Sequence, residues 1–152
     1  MKTQFDILKK SRALTLKAID GLTLKQLHII PTGFTNNIAW NVAHLVVTQQ
    51  LLHYKMANVN CLAPEELIEK CRKGTSPTTD FTEEEFEEVK ELLIGLPDTL
   101  EEDYEAGIFE NYKEYKTSAG FTLNSIETAI SFNNYHEALH LSAMKTLRKF
   151  VQ

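Results

Sequence analysis

Two stretches of the chain decide its fold: residues 36–50, NNIAWNVAHLVVTQQ, and residues 118–148, SAGFTLNSIETAISFNNYHEALHLSAMKTLR. In both, apolar residues recur at helical spacing, so each predicts a long amphipathic helix. We expect the first of these helices to cover about 36–58, capped by Thr35 or Asn36. The other begins at Thr122 or Asn124, since Asn124 and Glu127 have the spacing of a capping box, and runs nearly to the end of the chain.

Two further long helices are predicted outside these stretches. One covers about 3–20, with Ile7, Ser11, Leu14 and Ala18 on one face and Gly21 as its stop. The other starts at a capping box, either Asp80 with Glu83 or Thr82 with Glu85. It should end near Ile94, because Gly95 and Pro97 oppose its continuation.

The intervening segments are predicted as loops with one short helix. That helix starts at Pro64 and ends near Gly74, and GTSPTTD after it is a loop by composition. Signals for strands are weak throughout. Four long amphipathic helices predict an all-α, four-helix-bundle domain that covers residues 1–152.

Composition narrows the classes of function. The chain has 152 residues, a formal net charge of −5 and 43% apolar residues, which fits one domain with a sizeable core. Its 16 Lys and Arg are scattered, so we expect no nucleic-acid binding. No long apolar run predicts a membrane span. Two cysteines without a pairing motif and no export signal indicate the cytoplasm.

His136 and His140 are the first candidate functional residues. Four residues advance a helix by about 400°, so the two imidazoles lie one turn apart on one face and can point at a common ion. Several residues that suit a bundle interior share this face: Ala129, Phe132, Asn133, Ala143 and Leu147. Two buried rings need polar partners, and one metal ion would serve both.

His44 supplies the expected third ligand. It lies in the middle of an apolar helix, on a polar strip with Asn37, Asn41 and Thr48. This strip predicts the lining of a site. Asn133, on the last predicted helix, is a further candidate for that lining. His53 is about half a turn out of phase with His44, and His28 lies in a loop, so neither joins the group.

Less specific interpretations compete with a metal site. A lone histidine such as His44 is often a satisfied core or surface residue, and His136 and His140 could lie on a helix with mixed faces. The polar strip could be no more than helix cap and helix surface. HEALH also has the pattern of zinc proteases, with Glu137 as general base. That interpretation fails because no third ligand is present in the segment after His140, which is LSAMKTLRKFVQ.

With these residues in place, the chain resembles the DinB/YfiT-like superfamily. NNIAWNVAHLVVTQQ is similar to the second helix of that family, and residues 118–148 to its last helix and the loop before it. The resemblance implies a four-helix bundle of up-down-down-up topology, with one ligand histidine at His44 and an HxxxH pair at His136 and His140. Many members have glycine two residues after the last histidine, where this chain has Ser142.

The resemblance implies a divalent metal ion, and three imidazoles suit zinc or nickel, with iron as a further candidate. Characterised relatives include thiol S-transferases and metal-dependent hydrolases, and dimers are common. A metal-dependent transferase or hydrolase acting on a small molecule, with a low-molecular-weight thiol as one candidate partner, is therefore the leading hypothesis. The alternative is a bundle that binds a metal or small molecule without turnover, and a metal-free structural bundle is a third hypothesis.

Overall fold

A computed structural model describes all 152 residues and shows an almost entirely helical chain. In chain order the protein forms six α-helices and two short strands: α1 Lys2–Ile19, α2 Leu24–Leu27, α3 Ile38–Gln49, α4 Glu65–Cys71, α5 Glu83–Glu105, β1 Tyr115–Lys116, β2 Thr122–Leu123 and α6 Ile126–Val151. Helix α3 continues as a π-helical turn, Gln50–Tyr54, and a 3₁₀ turn, Lys55–Ala57. The all-α fold class is confirmed.

The four long helical segments pack side by side, α1 against α5 and α6, and α3 against the same two helices. Helix α3 lies deepest, because every one of its residues except Thr48 is buried. Polar side chains on such a helix must find partners inside the protein. No helix combines the length and the apolar character that crossing a membrane requires.

Helix α1 turns a different face to the core from the one predicted. Ile7 and Leu14 are exposed, and the buried residues are Phe5, Leu8, Arg12, Thr15 and Ile19. The prediction failed because an arginine and a threonine hold central core positions, which a hydrophobic pattern alone does not mark. The predicted stop holds, since Gly21 adopts a positive φ of 75°.

Helix α5 continues past Ile94 and contains both Gly95 and Pro97. Pro97 has no N–H to donate to the carbonyl of Leu93, four residues earlier. In its place the Arg12 side chain donates to that carbonyl, with Nη1 3.1 Å from the oxygen. A contact from another helix therefore compensates the proline, and the predicted end near Ile94 is wrong.

The structure corrects the predicted N-caps of α3 and α6 and adds short elements that the sequence did not predict. Asn37, rather than Thr35 or Asn36, caps α3, and Ser125 with Thr128, rather than Asn124 with Glu127, forms the capping box of α6. The box of Thr82 and Glu85 is confirmed. The prediction did not include α2, and the small antiparallel hairpin of β1 and β2 was likewise unforeseen. This hairpin lies in the segment immediately before α6.

Candidate metal centre

His44 of α3 and His136 and His140 of α6 converge between the two helices. One ring nitrogen of each lies within 4.8 Å of those of the other two. The ring centroids are 5.2 Å apart for His44 and His136, 4.8 Å for His44 and His140, and 4.4 Å for the α6 pair. The predicted convergence of rings from two helices is thus present in the structure.

The backbone of α4 orients His44. Its Nδ1 lies 2.7 Å from the carbonyl oxygen of Cys71. A carbonyl only accepts, so Nδ1 must carry the proton and Nε2 keeps its lone pair. The Thr48 hydroxyl lies 3.2 Å from this Nε2 and donates to it. On the other side, the indole of Trp40 stacks on the ring with centroids 4.5 Å apart and planes 12° from parallel.

Asn41 orients His140 in the same manner. The amide nitrogen of Asn41 donates to the Asn37 carbonyl at 2.7 Å and to Asn36 Oδ1 at 3.1 Å. Its Oδ1 is thereby fixed as an acceptor, and it lies 2.7 Å from His140 Nδ1. His140 therefore donates through Nδ1 and keeps the lone pair of Nε2. Metal-bound histidines in proteins commonly have a hydrogen bond of this type at the second ring nitrogen.

His136 has no such support. Its Nδ1 is buried and makes no hydrogen bond. A buried polar nitrogen without a partner is costly, and binding of a cation by the ring is one way to offset that cost.

Burial lowers the pKa of all three imidazoles below the ordinary value, so each stays neutral to a lower pH than a free histidine. Burial lowers the pKa of His136 to about 3, and repulsion between its protonated ring and protonated forms of His140 and His44 lowers it further. Burial, and then His44, lowers the pKa of His140 to about 4. Burial also lowers the pKa of His44, against the opposing effect of the Cys71 carbonyl. Neutral imidazole is the form that binds a metal.

This donor set fits a divalent transition-metal ion. It offers three neutral imidazoles, two of them with a fixed lone pair, and no negative ligand. Two nitrogen ligands of a tetrahedral zinc ion stand about 3.3 Å apart, so modest side-chain rotations would bring the trio onto one ion. The Cys71 thiol is not part of the set, and burial raises its pKa to about 12, which keeps it protonated.

A pocket of about 440 Å³ opens beside the three rings. All three histidines and Thr48 line it, together with Leu51 and Leu52 from the π-helical turn and Phe132 from α6. π-Helical turns inside longer helices often occur next to functional sites. Thr117 and Ser118, from the loop between β1 and β2, close another side.

The three asparagines that the sequence predicts as pocket lining take other positions, and one of them contacts a ligand histidine. Asn37, Asn41 and Asn133 are not among the pocket residues. Asn37 caps α3 and donates to the His28 carbonyl, Asn41 holds His140, and Asn133 lies 3.5 Å from Glu137 Oε1 inside the bundle. The polar strip of α3 is therefore mainly support for the ligands.

His53 and His28 stay apart from the three rings, as their positions predicted. His53 is fully buried in the π-helical turn, and His28 Nε2 accepts a hydrogen bond from the Phe81 backbone. Sequence reasoning missed the Cys71 carbonyl, because a backbone acceptor on a separate helix leaves no mark in the sequence. Trp40 could have been found, since it lies one helical turn before His44.

Comparison with known families adds one finding. The family model of the DinB superfamily matches residues 7–144. This chain belongs to the DinB superfamily. The match spans α1 to most of α6 and so includes all three histidines, in agreement with the resemblance seen in the two diagnostic stretches. A search of curated proteins finds no match to this DinB-superfamily chain.

Proposed function

We propose that this DinB-superfamily protein is a metal-dependent enzyme of the thiol S-transferase or hydrolase type, which holds zinc, nickel or iron with His44, His136 and His140. The observation that carries the proposal is the convergence of three neutral imidazoles on the wall of an open pocket. A divalent ion bound there would make a thiol or a water molecule nucleophilic near neutral pH.

The residues of the chain divide the remaining work. Asn41 and the Cys71 carbonyl hold two imidazoles with their lone pairs on Nε2. Leu51, Leu52 and Phe132 give the pocket an apolar wall, which suits the carbon skeleton of a small substrate. Thr48 places a hydroxyl beside the rings, where it can donate to or accept from a bound molecule.

The pocket favours thiol transfer over hydrolysis. No aspartate or glutamate lines it, so no carboxylate is placed to act as a general base. Glu137, which would be the general base in a zinc protease, is fully buried and forms an ion pair with Arg12. A free thiol has a pKa near 8.5 and free water one of about 15.7, so a bound ion needs to lower the pKa of a thiol much less to ionise it without such a base.

The test combines metal analysis with activity assays on protein purified without a nickel column. We expect about one divalent ion per chain in the wild type and none in His44→Ala, by analogy with three-histidine sites that lose a ligand. His28→Ala is the matched control, because it removes a histidine outside the trio. A panel of thiol-conjugation and of ester and amide hydrolysis assays then tests turnover.

Two results would change the proposal. Turnover that survives His44→Ala would exclude a metal-dependent mechanism. Metal retained by the wild type with no turnover across the panel would favour the alternative, a bundle that binds a metal or a small molecule without catalysis.

Four finer expectations belong to the same proposal. The family implies an up-down-down-up order of the four long helices and a homodimer, and the sequence indicates one domain and a cytoplasmic location. The dimer is tested by sedimentation equilibrium of the metal-loaded protein. The helix order is tested by spin-label distances between the ends of the four long helices.

A further inference from the structure

The pocket beside the histidines is lined by cationic and neutral side chains only. Its thirteen lining residues include Lys55 and Lys73 but no aspartate or glutamate. The chain as a whole has 21 acidic residues against 16 basic ones. The exclusion of acidic side chains from this one pocket therefore runs against the composition of the protein.

Both ammonium groups are available to a ligand. Lys55 and Lys73 are exposed, and neither forms an ion pair, whereas Lys9 and Lys90 pair with carboxylates. An ammonium group without a protein partner can contact an incoming oxyanion without first breaking an ion pair.

The two lysines serve different parts of the pocket. Lys73 follows Cys71, whose carbonyl holds His44, by two residues. The Cα atom of Lys73 therefore lies within about 7 Å of that of Cys71, on the histidine side of the pocket. Lys55 lies eleven residues beyond His44 along the same helical segment, about 16 Å of helix rise. Leu51 and Leu52 lie between His44 and Lys55 along this segment, and both line the pocket.

A hydroxyl group supplements the positive charge. The buried Thr117 also lines the pocket, and its Oγ1 accepts a hydrogen bond from the Phe121 backbone N–H at 3.0 Å. The hydroxyl proton is thus left free to be donated to an acceptor in the pocket.

We infer that the pocket binds an elongated anionic small molecule, whose carboxylate or phosphate groups contact Lys55 and Lys73 and whose apolar middle lies on Leu51 and Leu52. This inference rests on the proposed function, because it names the class of substrate that the metal site would act on. In this inference the two lysines select anionic substrates over neutral ones, and the reaction itself takes place at the metal site of the three histidines.

Calorimetric titration with three probes tests the inference: octanedioate and octane-1,8-bisphosphonate, which are anionic at both ends, and the neutral octane-1,8-diol. At low salt we expect at least one anionic probe to bind about tenfold more tightly than the alcohol, since two partly exposed charge contacts contribute roughly 1–2 kcal/mol together. The better anion distinguishes a phosphate site from a carboxylate site. In Lys55→Gln/Lys73→Gln the preference should shrink to within about twofold.

The control Lys10→Gln/Lys145→Gln removes the same charge from exposed positions outside the pocket and should keep the full preference. Each titration is repeated after metal removal with EDTA, because a probe carboxylate could bind the metal instead of the lysines. Four results would each overturn the inference. Two of them are equal affinity for all three probes and no binding of the anions. The other two are a preference that survives the double substitution and a preference that disappears with the metal. Zinc content, measured separately, reports on the proposed function, so the two can fail independently.

Discussion

Asn41 shows how one side chain can decide the chemistry of another. Its amide is locked by two donated hydrogen bonds, which leaves Oδ1 as the only acceptor for His140 Nδ1. The proton of the imidazole is thereby kept on Nδ1, and Nε2 is left with its lone pair. A hydrogen bond of this kind tunes both the orientation and the basicity of a ligand.

We expect Asn41→Ala to weaken zinc binding by roughly 10–100-fold while leaving the stoichiometry unchanged. His140 would then be free to rotate and to exchange tautomers. Competition with a chromophoric chelator measures the affinity. The matched control is Asn134→Ala, which removes a partly buried helical asparagine bonded to Gln4, outside the site. Equal zinc affinity of Asn41→Ala and wild type would contradict the role given to Asn41.

We expect His53 to make the metal-free protein sensitive to acid. Burial lowers its pKa to about 3, while the backbone of Ala129 acts in the opposite direction and Arg12 lowers it further. In the unfolded chain its pKa returns to about 6.5, so between these values the unfolded state binds a proton that the native state does not. Stability therefore falls as pH is lowered from about 6.5 towards 3.

We expect His53→Leu to flatten the dependence of the unfolding free energy on pH by up to about 1.4 kcal/mol per pH unit in this window. The measurement is urea unfolding of the metal-free protein at several pH values from 7 to 4.5. His136 and His140 contribute in the same direction in both proteins, so the difference reports His53. Parallel curves for the variant and the wild type would show that His53 titrates normally.

Arg12 connects the four long helical segments at one point. From α1 it donates to Glu137 Oε1 of α6 through Nη2 at 2.9 Å and Nε at 3.1 Å, and to the carbonyls of Leu45 in α3 and Leu93 in α5. Both side chains of the ion pair are completely buried. Glu137 stands between the two α6 histidines in sequence, so this contact also fixes the rotation of α6 that turns them towards α3.

Removal of Arg12 should be severe. We expect Arg12→Ala to lower the free energy of unfolding by about 3–5 kcal/mol, because Glu137 is left buried without its partner. Arg12→Met/Glu137→Leu should recover much of that loss, since it removes both charges together. Lys9→Ala, on the same helix but in a partly exposed ion pair, serves as control and should cost at most about 1 kcal/mol. Denaturant unfolding measures all three, and a double variant no more stable than Arg12→Ala would contradict this account.

At the scale of the single helix, prediction from sequence succeeded where the whole pattern lay within that helix. The spacing of His136 and His140 and the capping box of Thr82 and Glu85 are patterns within one helix, and both predicted what the structure shows. The end of α5 failed because Pro97 is compensated by Arg12, 85 positions earlier in the chain. The face of α1 failed for the same reason, since its central residue is a charge whose partner lies on α6.

At the scale of the whole molecule, an ion in the candidate centre would join α3 to α6, the two helices that carry its ligands. A ligand that binds only the folded state stabilises it by mass action, by about 2.7 kcal/mol at a hundred times its dissociation constant. For a domain of this size that corresponds to a rise in Tm of roughly 5–10 °C.

Differential scanning calorimetry with and without zinc measures this effect. We expect the rise in wild type and in His28→Ala, and its loss in His140→Ala. A rise of the same size in His140→Ala would mean that zinc stabilises the protein at another place.

The stacking of Trp40 on His44 has a practical consequence. Trp40 is the only tryptophan of the chain, and its ring centroid lies 4.5 Å from that of His44. Emission from the indole therefore comes from a single fluorophore in contact with one of the three rings. Ions with a partly filled d shell, such as Co²⁺ or Ni²⁺, quench a neighbouring indole, so the filling of the centre can be followed optically in the unlabelled native protein.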